Sequence, residues 1–326
     1  MVSKSAKVTA VEAMDRDRRV EIRARLRKLG AKYGFKDVVA KEGPIDWERV
    51  FEEASQASRR LAPQIGAFHD RFERARPALV RIEFETDEPI EFAAGQYLSI
   101  RFGDRTRAYS VASSPNRDHT ELCIRRVPDG RLSPRLCEEL SVGDELAVRG
   151  PHGNLLLEGP SKRDMVFLAT GTGVAPMKSM IDYTFEEGRD TFRGEERDVW
   201  LFLGAAWEDD LPYHDAFRAL SAEHDNFHYI SCLSREPWLS EWGGETEYIQ
   251  DAMVKYVDER ALQDAAFGGH MAEMLADRPE TDTSARIDPH VAEVYACGIN
   301  AMVYGLETAA RRLGIPKDSI HCEGYG

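Results

Sequence analysis

Two stretches of the sequence carry residue types suited to a phosphorylated, planar ligand. The run Phe167-Leu-Ala-Thr-Gly-Thr-Gly-Val-Ala-Pro176 leads an apolar strand into a glycine turn that opens a helix. Gly171 and Gly173 let backbone amides approach a ligand closely, and a helix amino terminus offers unpaired N–H groups and positive dipole to a phosphate. Many α/β proteins use such glycines for the turn alone, so this motif by itself leaves both readings open. The second run, Arg107-Ala-Tyr-Ser-Val-Ala-Ser-Ser-Pro115, puts a cation, an aromatic ring and several hydroxyls on one extended segment. Such a set can pair with a phosphate, stack on a heterocycle and hydrogen-bond a ring nitrogen. Taken alone, it also fits an ordinary strand with polar outward positions.

The elements that must position these residues follow from periodicity. From Ala10 to about Phe72 the chain is densely charged, with apolar residues at three- and four-residue spacing, which predicts two or three amphipathic helices. Pro44 and Asp46 ahead of Val50 and Phe51 predict a helix from Trp47 with Asp46 as its N-cap. Residues 1–75 are therefore expected to be a helical extension, packed on the body or docking a partner. Between Ala78 and Leu157 the runs ALVRIEFET, GQYLSIRF, RAYSVASS, ELCIRRV, DELAVRG and NLLLEG predict short strands of an antiparallel barrel or sandwich. One helix, SPRLCEEL, begins at Ser133-Pro134. Beyond Asp164 the strands MVFLAT, DVWLFLG, FHYISCL and EVYACG alternate with helical sequence, as βαβ units of a parallel sheet do. The expected architecture is thus a two-domain β plus α/β chain: a helical extension over 1–75, a barrel over 76–160 and a doubly wound domain over 161–326. Residues 262–290 read as a polar insertion.

Composition narrows the function. The 326 residues carry a formal charge of -14, which disfavours nucleic acid and anionic membranes as partners. No apolar run approaches the roughly 18 residues that span a bilayer, and a cytoplasmic protein is the default expectation. Arginine outnumbers lysine 33 to 10, which fits either a high-salt cytoplasm or a GC-rich genome. The five cysteines are scattered and lack a C-x-x-C pair, against a disulfide framework, a zinc ribbon or an iron–sulfur cluster held by this chain. His152, His270, His290, Trp238 and Trp242 show no metal-ligand spacing and read as loop or packing residues; no metal is expected.

Taken in order, the two motifs resemble the ferredoxin–NADP⁺ reductase family. The pattern R-x-Y-S-x-A-S-S is matched at Arg107, Tyr109, Ser110, Ala112, Ser113 and Ser114, after Gly95-Gln96-Tyr97. Glu121–Val127, Gly130-Arg-Leu-Ser133, Gly143-Asp144 and Gly150-Pro-His-Gly153 continue the resemblance through the barrel. In the second half ATGTGVAP, Trp200–Gly204, Ser234-Arg235-Glu236, Tyr248-Ile-Gln250, Ala296-Cys-Gly298 with Met302, and Glu323 with Tyr325 extend it. It covers about residues 78–326. The family's lysine two positions before the tyrosine is Thr246 here.

The resemblance implies an antiparallel Greek-key flavin barrel followed by an NAD(P)-binding domain. It implies FAD, with FMN the alternative, bound by Arg107, Ala108, Tyr109 and Ser110 on one strand and by Cys123, Ile124 and Arg125 on the next. Arg107 and the amides of Arg131, Leu132 and Ser133 would hold the flavin's pyrophosphate, and Gly130, Thr172 and Tyr325 would also contact the flavin. NADPH, preferred over NADH, would lie on Thr170, Gly171, Thr172, Gly173 and Pro176. Its adenosine half would reach Ser234, Arg235, Tyr248 and Gln250, and Ala205, Gly298 and Met302 would also contact the coenzyme. Ser110, Cys297 and Glu323 would position the hydride transfer. The implied activity is an NAD(P)H-dependent flavoprotein reductase serving a ferredoxin-like or other acceptor. The alternatives are the reductase component of an oxygenase system and a flavin-bearing electron-transfer subunit of a larger complex. Arg125, Arg126, Arg131 and Arg135 are a candidate basic patch for such an acceptor.

Overall fold

In a computed structural model the protein is described at residues 3–35, 38–159, 161–258 and 284–325. Most of the polar insertion expected over 262–290, with Gly269 and His270, lies outside the described residues, as does Gly326. The chain opens with strand β1 (Lys4–Ala13) and then three helices, α1 (Arg19–Tyr33), α2 (Trp47–Ala57) and α3 (Ala62–Glu73). Asp46 caps α2, its side chain accepting from the Arg49 N–H at 3.1 Å, as its type and position predict. Five further strands follow: β2 (Leu79–Thr86), β3 (Tyr97–Phe102), β4 (Arg105–Ser110), β5 (Thr120–Arg125) and, after helix α4 (Ser133–Glu138), β6 (Glu145–His152).

These six strands form one antiparallel sheet in the order β4-β3-β6-β1-β2-β5, and a bridge between Val111 and Leu122 brings its two edges together as a barrel. Period-two alternation turns Val80, Ile82 and Phe84 of β2 inward onto Leu98, Ile100, Leu122, Ile124, Leu146 and Val148. The expectation of a helical extension over 1–75 is corrected at residues 4–13, where β1 lies between β6 and β2. Its sequence, KSAKVTAVEA, turns only Ala6 and Val8 fully inward, and small and charged residues dilute the apolar signal. The helices are therefore an insertion between two neighbouring barrel strands. They surround their own core of Ile22, Leu26, Phe35, Val50, Ile65 and Phe68, joined by Trp207 from the second domain. The strand expected at NLLLEG is also absent. After His152 pairs with Tyr97 the chain leaves the sheet, and Leu155 packs at the seam between the domains.

The second domain runs β7 (Asp164–Thr170), α5 (Val174–Glu186), a small hairpin of β8 (Thr191–Phe192) and β9 (Glu195–Glu196), then β10 (Val199–Ala205), α6 (His214–Glu223), β11 (Phe227–Leu233), α7 (Ile249–Lys255), β12 (Ala292–Ile299), α8 (Asn300–Arg312) and β13 (Ile320–Tyr325). The parallel sheet has the order β11-β10-β7-β12-β13. Both faces are covered, so β7 and β10 read as continuous apolar runs. One face packs on α5 and α6 and continues into the barrel through Leu79, Ala112, Cys123 and Leu155; the other packs on α7 and α8. Among the described residues no helix is long and apolar enough to cross a membrane.

Candidate functional site

The chain leaves β7 for β10 on one side and later returns to place β12 on the other, so the carboxyl ends of these strands open at a topological switch point. The barrel face carrying β4, β5 and the start of α4 stands opposite. Between them lies a cleft of about 1380 Å³.

On the barrel side Arg107, Ala108, Tyr109 and Ser110 line the cleft, with Cys123 and Arg125 from β5 and the turn Gly130–Ser133. The Arg107 guanidinium donates to the Thr106 carbonyl at 2.8 Å and has no carboxylate partner among the described residues. Burial pushes the Tyr109 hydroxyl up to about 12, so it is neutral at physiological pH. Ile124 is corrected: pleating between Cys123 and Arg125 sends its side chain into the barrel core, where it is 1% exposed. The Leu132 side chain is likewise buried in that core, leaving its backbone to the cleft. The Ser133 hydroxyl accepts from the Val127 N–H at 3.0 Å and braces the turn. Of the four arginines of the candidate patch, Arg125 and Arg131 line the cleft, while Arg126 pairs with Glu138 at 2.8 Å and Arg135 with Glu139 at 3.0 Å.

Across the cleft lie Thr170, Gly171 and Thr172. Gly171 has φ +51°, a left-handed conformation that glycine adopts without penalty. Gly173 and Pro176 do not line the cleft; both are buried where α5 begins. A Cβ on Gly173 would sit 2.3 Å from the Cys297 carbonyl oxygen and 3.1 Å from the Tyr325 hydroxyl, so this glycine lets the turn lie against β12 and β13. Cys297 and Glu323 are register partners at the ends of those strands, and both reach the cleft. Burial, reinforced by the Glu323 charge, pushes the Cys297 thiol up to about 12, which keeps it protonated. Burial also raises Glu323, whose Oε2 is buried without a hydrogen-bond partner among the described residues. The Tyr325 hydroxyl donates to the Thr170 carbonyl at 3.3 Å. Met302 lines the cleft, while Gly298 lies beneath it, its Cβ position only 2.3 Å from the Met302 methyl carbon.

Ala205, Ser234, Tyr248 and Gln250 line the far end. Arg235 does not; it is exposed beyond Ser234, its N–H donating to the Ala206 carbonyl at 3.0 Å. Motif reading missed Glu247 there. Burial would raise this carboxyl, but hydrogen bonds to Lys255 and Glu245 bring it down to about 2. Lys255 holds both acids at 2.7 Å. The acid-rich GETE before Tyr248 was a visible signal, whereas the lysine eight positions after Glu247 was not. Tyr97, Cys232 and the exposed apolar residues Val127 and Ile299 also line the cleft and carry no motif.

The donor set fits two nucleotide cofactors. Arg107 is a cation without an acid, the turn at Gly171 offers amides, and the orphaned Glu323 Oε2 awaits a donor.

Residues 76–156 match the family model of the oxidoreductase FAD-binding domain, and residues 167–308 that of the oxidoreductase NAD-binding domain. The chain is 31% identical over 240 residues to ferredoxin–NADP reductase B of Sorangium cellulosum (strain So ce56), covering 72% of this chain and 85% of that protein. It is 33% identical over 199 residues to the phenol hydroxylase P5 protein of Acinetobacter pittii (strain PHEA-2), covering 60% of this chain and 53% of the relative. The chain thus spans about half the length of that relative. A crystal structure of a ferredoxin NADP⁺ reductase from Neisseria gonorrhoeae with bound FAD and NADP has the same fold, with a TM-score of 0.56 and 22% identity over 76% of this chain and 92% of that one.

Proposed function

The chain belongs to the ferredoxin–NADP⁺ reductase family, and from that premise we propose that it is an NADPH-dependent FAD flavoprotein reductase passing electrons to a ferredoxin-like protein or an oxygenase component. The observation that carries this reading is the single cleft in which Arg107–Ser110 of the barrel faces Thr170–Thr172, Cys297 and Glu323 of the parallel sheet. When bound, the flavin and the nicotinamide supply the hydride and single-electron chemistry themselves.

The protein's share is binding and orientation. Arg107, together with the amides of Arg131, Leu132 and Ser133, neutralises and holds the flavin's pyrophosphate. Tyr109 and Tyr325 offer aromatic faces to the ring, and Ser110 offers a hydroxyl at its edge. The amides at Gly171 and Thr172 receive the coenzyme's pyrophosphate. Cys297, protonated, acts as a small positioning group rather than as a nucleophile, and Glu323 accepts a hydrogen bond from the bound ligand.

The preference for NADPH rests on Ser234 and Arg235 at the end of β11, where an arginine without an acid partner among the described residues is suited to a 2′-phosphate. Glu247 at the same end can accept ribose hydroxyls, which leaves NADH a weaker substrate. The oxygenase reading of the acceptor is favoured by the similarity to the phenol hydroxylase P5 protein. A setting in the cytoplasm fits both acceptors.

Anaerobic titration of the flavin-loaded protein with each coenzyme tests the proposal. Rapid bleaching of the visible flavin band by NADPH, and slower bleaching by NADH, is expected. A flavin that neither coenzyme reduces would replace the reductase reading with that of an electron-transfer subunit, and a protein that binds no flavin would overturn both. In Arg235→Ala the NADPH/NADH ratio of kcat/KM should fall by roughly tenfold or more, since a charge-assisted contact is worth about 1.5–3 kcal/mol.

A further inference from the structure

We infer that the helical insertion is a working part of the coenzyme site: through Arg18 it clamps Glu236 and thereby fixes the Ser234–Arg235 backbone that receives the adenosine 2′-phosphate. This rests on the assignment of that phosphate to Ser234 and Arg235 made above.

Arg18 immediately precedes α1 and is 3% exposed. Its Nη1 donates to both carboxylate oxygens of Glu236, at 2.9 and 2.8 Å, and its Nε donates to Glu21. Glu236 is wholly buried and also accepts from the Glu208 N–H at 2.9 Å. One carboxylate thus ties the insertion to the loop after β11 and to the loop after β10. Those loops are zipped to each other by Ser234 N–H to the Ala205 carbonyl at 3.2 Å and Arg235 N–H to the Ala206 carbonyl at 3.0 Å.

The rest of the insertion holds the same two loops. Arg25 and Gln64 both donate to the Trp238 carbonyl, at 2.7 and 3.3 Å. Phe68 stacks on Trp207 with centroids 6.0 Å apart. Arg71 pairs with Asp209 and Asp210, and Arg74 with Asp210 at 2.6 Å. Asp210 lies 3.9 Å from Arg125, which faces the flavin side of the cleft.

Buried ion pairs rarely stabilise a fold more than apolar residues of the same volume, and their best-attested gain is a fixed geometry. Arg235 is the group that needs such geometry. Its side chain is long and exposed, so its affinity for a phosphate depends on how little freedom its backbone must surrender on binding. A clamp on the next residue, Glu236, supplies that order in advance. Arg18 is accordingly a positioning residue, acting through Glu236 and never touching the ligand.

The test compares wild type, Arg18→Lys and Arg235→Ala as flavin-loaded proteins, with adenosine 2′,5′-bisphosphate as the calorimetric probe and 5′-AMP as the control. Arg18→Lys keeps the charge and loses the fork. It is expected to raise the Kd for the bisphosphate and the KM for NADPH roughly tenfold, with 5′-AMP binding, kcat and the flavin spectrum within about twofold. General loosening would move all of these together. Should Arg18→Lys fail to fold, Glu236→Gln carries the same expectation while keeping its bond from Glu208. An unchanged bisphosphate Kd in the folded variant, alongside weakened binding in Arg235→Ala, would overturn the clamp. An unchanged Kd in Arg235→Ala would instead remove the phosphate assignment, and the clamp with it.

Discussion

A carboxylate oxygen buried without a partner, as Glu323 Oε2 is, weighs against the folded state and so marks a place shaped for something other than stability. Burial raises the Glu323 pKa above its ordinary value, so the folded chain holds that proton more tightly than the unfolded chain does. Stability is therefore lost as pH rises through the raised value and is regained below the unfolded one. Glu323→Gln should melt a few degrees above wild type at pH 8, for a gain of about 1 kcal/mol, and level with it near pH 4, while turnover falls with both coenzymes. Scanning calorimetry across that range checks it; a variant no more stable at pH 8 would show that the carboxylate is satisfied. Residues such as Glu323, Cys297 and Thr172 were legible because each sits in a short motif at a strand end. The pairing of Arg18 with Glu236 was not, because two residues 218 positions apart leave no local pattern.

At the level of elements, strands covered on both faces declared themselves. MVFLAT and DVWLFLG can satisfy their apolar runs only inside a parallel sheet. The failures have equally physical causes: β1 turns only Ala6 and Val8 fully inward, and the three leucines of NLLLEG belong to a connector crossing the domain seam. A tight element junction is the glycine turn against β12. Gly173→Ala would force a methyl group to within 2.3 Å of a backbone oxygen that cannot step aside. We expect a loss of about 1–3 kcal/mol and a raised KM for both coenzymes, measured by thermal denaturation and steady-state kinetics. Gly159→Ala, with nothing within 4 Å of its added methyl, is the neutral control.

For the whole molecule the decisive fact is where the helices are inserted. Ala13 of β1 and Val80 of β2 are register partners, so the insertion leaves and re-enters the barrel at adjacent points. A chain lacking residues 1–72 loses β1, bares the edges of β6 and β2, and is expected to be purified without flavin. A chain in which residues 16–76 are replaced by a short turn keeps all six strands and should retain flavin, with weakened coenzyme binding; flavin absorbance per mole of protein distinguishes the two. The same placement sets the order of events on the ribosome. Lys4–Lys7 pairs with Glu145–Val148, so the first strand to be made must wait for the last strand of its barrel. Until then its backbone has no partner on that side, while the helices between can gather around their own core within a few dozen residues of synthesis. A slow, late barrel closure following an early helical collapse is the folding sequence this topology imposes.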